Sequence, residues 1–309
     1  MTATRRAVLR AAGIGVLAAA CSPGAPPRLA IAGGEDGGFY LEFAGLLATQ
    51  LSVHGRPAAA LPTGGSVENI QLVRDGRATV GLTLADVVDG ARRGTLPVLP
   101  APVPLLAVGR VYENYMQLVV RAEDGIRSTQ DLAGRVVSPG AVGSGAAVFG
   151  ERLLTGVPTA GIVHLPLRGA LDALEHHRID ALLWSGGVPT PALADFAARR
   201  PVRLLPLDGE LARLQGTFGE VYRGLAVPAG VYGATGAVTT IGVANLITCA
   251  PDAPDDVVDA IATTLATAAA QLVPRPALGT HYLDLGSLIG TGSVPLHPGA
   301  RAAYRRLHG

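Results

Sequence analysis

Four loops concentrate glycine and serine where a strand hands over to a helix. They are Gly33-Gly34-Glu35-Asp36-Gly37-Gly38, Thr63-Gly64-Gly65-Ser66, the stretch 138–145 ending in Gly143-Ser144-Gly145, and Ser185-Gly186-Gly187-Val188-Pro189-Thr190. Each leaves backbone N–H groups free at the start of a helix. Such ends carry partial positive charge and bind anions. In open α/β sheets, ligands gather at the strand carboxyl ends, where these loops lie. Two such sets facing each other form a cleft suited to a small carboxylate. A single glycine loop is explained by a tight turn; four in equivalent places point to a site.

Signatures of catalysis and metal binding fail. Gly143-Ser144-Gly145 lacks a nucleophile elbow, because Val142 stands where that motif needs glycine. The stretch 140–145 has P-loop spacing, but Ala146 replaces the lysine, and the third glycine of a dinucleotide fingerprint is missing. His176 and His177 follow Glu175 at a helix end, and no second histidine cluster has metal-ligand spacing. No pair of carboxylates forms an acid–base dyad. The chain reads as no enzyme, with no metal and no cofactor.

Composition narrows the class. The 309 residues are 49% hydrophobic and 16% charged, too apolar for a disordered chain. All 25 basic residues are arginine, so Schiff-base chemistry is excluded. A net charge of +1 carries no basic field for nucleic acid. Two cysteines cannot build a disulfide scaffold, and Cys249, in an apolar run, reads as a buried core thiol.

The segment 1–20 reads as an export signal. Arg5, Arg6 and Arg10 precede a short apolar stretch ending in small residues, and the run is about half the length needed to span a bilayer. The paired arginines are similar to a twin-arginine signal, which serves proteins exported folded. Leu17-Ala18-Ala19-Ala20-Cys21 resembles a lipobox, with Ala18 where leucine is usual. Cys21 is then the lipidated mature N-terminus and 21–27 a Pro/Gly tether; the rival is plain cleavage after Ala20. Removing 1–20 leaves 22 arginines against 24 acidic residues, a charge of −2.

Apolar strands alternate with helices through the rest of the chain, the pattern of parallel α/β units. Strands are expected at 29–32, 58–62 and 79–84, each followed by a helix, then two strands at 105–111 and 116–121. The pattern restarts near Glu123, with strands at 135–137, 162–165, 179–184 and 202–206. A strand at 238–248 returns to the first unit. A helix over 254–272, capped by Asp252, and a short terminal helix from His297 complete the chain. The expected organisation is one lobe from 28–122 and 239–309 and a second from 123–238. Each lobe is a mostly parallel sheet flanked by helices, with the ligand cleft between lobes.

Several segments together resemble the TAXI-type solute-binding proteins of TRAP transporters. They are Gly37-Gly38-Phe39-Tyr40, Thr63-Gly64-Gly65-Ser66-Val67-Glu68-Asn69, Gly143-Ser144-Gly145, and Asp180-Ala181 through Gly187-Val188-Pro189-Thr190-Pro191. Pro228-Ala229-Gly230-Val231-Tyr232 and Pro295-Leu296-His297-Pro298-Gly299-Ala300 continue the series. The resemblance implies a two-lobed type II periplasmic-binding-protein fold that closes on a ligand and passes it to a membrane permease. Its known ligands are glutamate, glutamine and related dicarboxylates or 2-oxoacids. A binding module for an ABC importer or sensor kinase is the alternative, followed by an exported hydrolase using Ser66 or Ser144.

On this resemblance the ligand-binding residues are Gly38, Tyr40, Thr63, Gly65, Ser66, Asn69, Ser144, Gly145, Trp184 and Tyr232. Ser66 and Asn69 supply hydroxyl and amide contacts, helped by amides near Gly65. Ser144 and Gly145 hold a carboxylate from the opposite lobe. Tyr40, Trp184 and Tyr232 form apolar walls with polar tips. Arg168 is a candidate partner for a second carboxylate, with a surface ion pair as its other fate. The expected partners are a small carboxylate, TRAP permease subunits and, through the lipid anchor, the outer face of the cytoplasmic membrane. Without lipidation the protein is periplasmic. Two departures stand out. Ala146-Ala147 replace the usual Thr-Glu. Glu35 and Asp36 replace small hydroxyl residues; facing the cleft they repel a dianion and favour an amino group. The expectation is that they point outward as helix N-terminal charges.

Overall fold

The computed structural model describes residues 28–273 and 283–308. The segments expected to be an export signal (1–20) and a tether (21–27), with Cys21, lie outside the described residues. The chain opens with β1 (Leu29–Ala32), α1 (Phe39–Val53), β2 (Ala58–Leu61), α2 (Ser66–Arg74), β3 (Val80–Leu84) and α3 (Ala85–Arg93). β1 lies between β2 and β3, parallel to both, with Ala32 opposite Leu61 and Gly81. Parallel pairing requires crossovers, which α1 and α2 provide. It also brings the carboxyl ends of β1 and β2 side by side, so their glycine loops become neighbours.

A second parallel set follows β4 (Leu106–Arg121): β5 (Val136–Ser138), α4 (Gly145–Leu153), β6 (Gly161–Ile162), α5 (Leu167–Glu175) and β7 (Ala181–Gly186). β5 is parallel to both β6 and β7. Then come α6 (Pro191–Ala197), β8 (Val202–Leu204), α7 (Asp208–Phe218), β9 (Tyr222–Val227) and β10 (Val238–Cys249). The helices α8 (Asp255–Thr267), α9 (Leu285–Leu288) and α10 (Pro298–His308) close the chain. Among the described residues, no helix is long and apolar enough to cross a membrane.

β4 and β10 join the two parallel sets. The sheet runs β2-β1-β3-β10-β4-β7-β5-β6, with β8 on β4 and β9 on β10. The end of β10 pairs with β3, and its beginning pairs with β9. β4 pairs with β10 along most of its length and with β7 and β8 towards its end. At about 3.3 Å per residue, β4 extends roughly 50 Å. Two strands were expected here, broken at residues 112–115. The chain stays extended because the polar side chains in that stretch have buried partners. Glu113 pairs with Arg110 at 2.6 Å, and Asn114 donates to Ser185 Oγ at 2.9 Å.

Three apolar clusters hold the layers. One buries Phe43, Leu47, Ile261 and Tyr304 beneath α1, α8 and α10. Another buries Leu171, Leu193 and Phe196 under α5 and α6. The third runs from Val67 and Val87 to Phe149, Leu214 and Tyr222. It therefore joins α2 and α3 to α4, α7 and β9. The helix expected over 254–272 is shorter. α8 ends at Thr267 and a separate 3-10 turn spans Ala269–Gln271. Pro254, not Asp252, occupies its N-cap, with no side-chain cap. Threonine hydroxyls at 264 and 267 bond the carbonyls four residues back, which weakens helix continuity.

Cys249 is free and buried at the end of β10. Its thiol meets the Leu106 carbonyl at 3.7 Å, and burial pushes its pKa up to about 12. The reactive thiolate is therefore scarce at pH 8. A thiol reagent is expected to label Cys249 in urea and to leave it unlabelled in the folded protein, as counted by mass spectrometry.

Candidate functional site

The carboxyl ends of the two parallel sets face each other across a narrow cleft. One wall is Gly34, Glu35, Gly38 and Tyr40, with Gly64, Gly65 and Ser66 beside them. The other wall is Ser144, Gly145 and Ala146 at the start of α4, with Trp184 and Ser185 at the end of β7. Leu84 and Asn114 also contribute. The space between the walls is about 40 Å³, room for about three waters.

The approach of the walls depends on glycine. Gly65 has φ +118°, a conformation that disfavours a side chain. A Cβ on Gly145 would stand 2.5 Å from Leu84 Cδ1 and 2.8 Å from Ser66 Oγ. The backbones also bond directly. Val67 N–H, at the start of α2, donates to the Gly143 carbonyl at 3.0 Å.

A chain of polar groups crosses the cleft. Tyr40 OH donates to Asn245 Oδ1 and lies 3.4 Å from Ser66 Oγ. Asn245 Nδ2 donates to Asn114 Oδ1 at 2.9 Å, and Asn114 Nδ2 donates to Ser185 Oγ at 2.9 Å. Asn245 and Asn114 sit on β10 and β4, the strands that connect the two sets. Burial drives the Tyr40 pKa far above its ordinary value, so it is a neutral donor. Ser66 Oγ accepts from Leu84 N–H at 3.0 Å, leaving its own hydrogen to donate.

Of the residues expected to bind ligand, Gly38, Tyr40, Gly65, Ser66, Ser144, Gly145 and Trp184 meet at this cleft. Thr63, Asn69 and Tyr232 are not among its lining residues. Asn69 is fully buried; its amide donates to the carbonyls of Gly33 at 2.6 Å and Leu82 at 2.7 Å. Its oxygen accepts from Thr63 Oγ1 at 2.7 Å. These bonds fasten the second loop to β1 and β3. Asn69→Ala is expected to cost about 1–3 kcal/mol of stability in urea unfolding, because it removes two hydrogen bonds to buried carbonyls and the acceptor of Thr63 Oγ1. Tyr232 OH accepts from Thr190 N–H at 2.6 Å and donates to Gln117 at 2.8 Å. It supports Thr190, which in turn accepts the Trp184 indole N–H at 2.9 Å.

The anion-binding amides differ from expectation. Gly64 N–H donates to Glu68 Oε2 at 2.6 Å and Gly65 N–H to Thr63 Oγ1 at 3.2 Å. With Val67 N–H also engaged, the second loop spends these donors on the protein itself. α4 is different. Ser144 caps it by accepting from Ala147 N–H at 3.0 Å. The amides of Gly145 and Ala146 find no acceptor among the described residues. The start of α4 therefore offers available donors to the cleft, as do the amides of Phe39, Tyr40 and Ser66 at the starts of α1 and α2, which also find no acceptor among the described residues.

Glu35 corrects the outward expectation. It is half-buried and lines the cleft, and its Oε2 accepts from Leu167 N–H on α5 at 2.9 Å. Burial raises its pKa, with the Leu167 bond opposing. Asp36 is exposed. Arg168 lies outside the cleft, in a groove beside Glu42 and Asp172. Asn114 escaped sequence reading because it falls in the stretch 112–115 expected to break β4, and Ser185, in the fourth glycine loop, was not among the residues expected to bind ligand.

A second bridge lies away from the cleft. Asp86 on α3 accepts from Arg152 Nη1 on α4 and from Tyr222 OH on β9, each at 2.9 Å. The Arg152 guanidinium stacks 4.3 Å above the Phe218 ring. Burial raises the Asp86 carboxyl pKa, while Arg152 beside it pulls the other way.

Neither serine has the surroundings of a nucleophile. No histidine lines the cleft among the described residues, and none of their His, Cys, Asp and Glu side chains group as a metal site. Two walls of α/β architecture on either side of a small polar space give a two-lobed α/β fold. Solved structures share this fold. One described as a periplasmic transporter aligns over 91% of this chain and 92% of its own, at 16% identity and TM-score 0.50. The periplasmic binding protein BugD aligns over 77% and 81%, at 14% identity and TM-score 0.51. Residues 31–306 match the NMT1-like family, and the chain belongs to that family.

Proposed function

We propose that this protein is an extracytoplasmic solute-binding protein that captures a small carboxylate and presents it to a TRAP-type permease. The observation that carries the binding reading is the start of α4. Gly145 and Ala146 offer amides there, and Ser144 Oγ, already accepting from Ala147, keeps its hydrogen to donate. Donors at a helix N-terminus hold one carboxylate. Ser66 and Tyr40 face this group from the opposite wall, and Trp184 forms an apolar side. In this reading the lobes are 28–122 with 239–309, and 123–238. They move by bending β4 and β10 near Asn114 and Asn245. Ligand contacts to both walls exist only in the closed form, so ligand shifts the population towards closure. The permease assignment rests on the sequence resemblance to TAXI-type proteins. The same resemblance supports export and lipid anchoring through Cys21.

Trp184 is the one tryptophan in the chain and it lines the cleft. Its fluorescence is therefore a direct reporter of occupancy. Titrating residues 22–309 with amino acids and small organic acids is expected to give a saturable 1:1 change. Turnover of any of these compounds, or a flat response to all of them, would overturn the reading.

A further inference from the structure

We infer that the ligand carries a protonated amine and no second carboxylate, and that Glu35 is the residue that selects for it. This inference rests on the binding reading above and names the ligand class of the same cleft. Every side chain lining the cleft is uncharged except that of Glu35. The chain has no lysine, and no arginine or histidine lines the space among the described residues. The start of α4 offers neutral donors with a helix dipole behind them, enough for one carboxylate. A second carboxylate finds no cation and meets the negative charge of Glu35.

The setting of Glu35 strengthens this. Its Oε2 is held by Leu167 N–H at 2.9 Å, which fixes the side chain between the two walls. Its Oε1 accepts no hydrogen bond among the described residues. A carboxylate in a part-desolvated place is costly without a positive partner. Arg168, next in sequence to its bonding partner, lines the adjoining groove with its Nη2 3.5 Å from the Cβ position of Gly37; it does not line the cleft and makes no ion pair with Glu35 among the described residues. A ligand ammonium supplies the missing charge. The cleft then has two unlike ends, donors at α4 for a carboxylate and an acceptor at Glu35 for an amine.

The test compares matched compounds by Trp184 fluorescence and calorimetry. One set is amino acids with a single carboxylate, such as L-glutamine and L-alanine. The other is amine-free acids, such as propionate, succinate and 2-oxoglutarate. In the unmodified protein at least one amino acid is expected to bind ten or more times tighter than every amine-free acid. Glu35→Gln keeps an oxygen for Leu167 N–H, so its melting temperature is expected to hold while that preference disappears. Succinate or 2-oxoglutarate binding as tightly as the amino acids overturns the inference and leaves the carboxylate-binding reading intact. So does a preference that survives in Glu35→Gln. No binding by either set overturns both. The comparison on the unmodified protein decides the matter even if the variant folds poorly.

Discussion

Arg152→Ala is expected to destabilise the protein by about 3–5 kcal/mol, the usual loss when one partner of a buried ion pair is removed. The Asp86 side chain has no exposed surface and that of Arg152 is 12% exposed. Removing the guanidinium leaves a buried carboxylate with only Tyr222 OH and local backbone to satisfy it. The packing of the Arg152 stem over Phe218 is lost as well. The double variant Asp86→Leu with Arg152→Met is expected to recover much of the loss, since it removes the unpaired charge. Tyr222→Phe deletes one hydrogen bond to a charged group and is expected to cost about 1.5–3 kcal/mol. Urea unfolding of the three variants checks the ordering. A loss below about 1 kcal/mol for Arg152→Ala would match an exposed pair and contradict the burial described.

Gly145→Ala is expected to weaken ligand binding by about 5- to 150-fold while leaving the unliganded protein folded. The added methyl would sit 2.5 Å from Leu84 Cδ1 and 2.8 Å from Ser66 Oγ, both on the opposite wall. Leu84 is 1% exposed and has nowhere to swing, and Ser66 Oγ is held by Leu84 N–H. Overpacking of this kind costs about 1–3 kcal/mol. Opening the cleft relieves it, so the cost falls on the closed form and appears as lost affinity. Titration by Trp184 fluorescence, beside a melting curve without ligand, separates this from misfolding. Unchanged affinity would mean that the two walls do not close on the ligand.

The two variants bear on different contacts between the same halves. Arg152 acts from the side of α3 and β9, and Gly145 acts at the cleft.

Glycine loops, strand-to-helix order and the absence of catalytic motifs were legible in the sequence. These depend on local chemistry: φ freedom at Gly65, capping at Ser144, and apolar strands between helices. The restart of the pattern near Glu123 was legible for the same reason. Other features were set by partners far away in the chain. β4 runs unbroken through Glu113 and Asn114 because Arg110, Ser185 and Asn245 satisfy them. α7 and β9 were not anticipated. In α7, Leu214 is the buried residue, so its apolar pattern is weak, and β9 gains its place by pairing with β10.

The sequence by itself determined the class of this protein: α/β architecture, glycine turns poised at helix starts, and no lysine for phosphate or Schiff-base chemistry. Tertiary structure decided what each candidate does. Thr63, Asn69 and Tyr232 have the right chemistry for a ligand, but buried carbonyls and amides from other strands claim them first. Glu35 looked like a surface charge and instead lines the cleft, because Leu167 from the other half comes within hydrogen-bond reach. A side chain's type fixes which bonds it can make; only packing settles which neighbours arrive to make them.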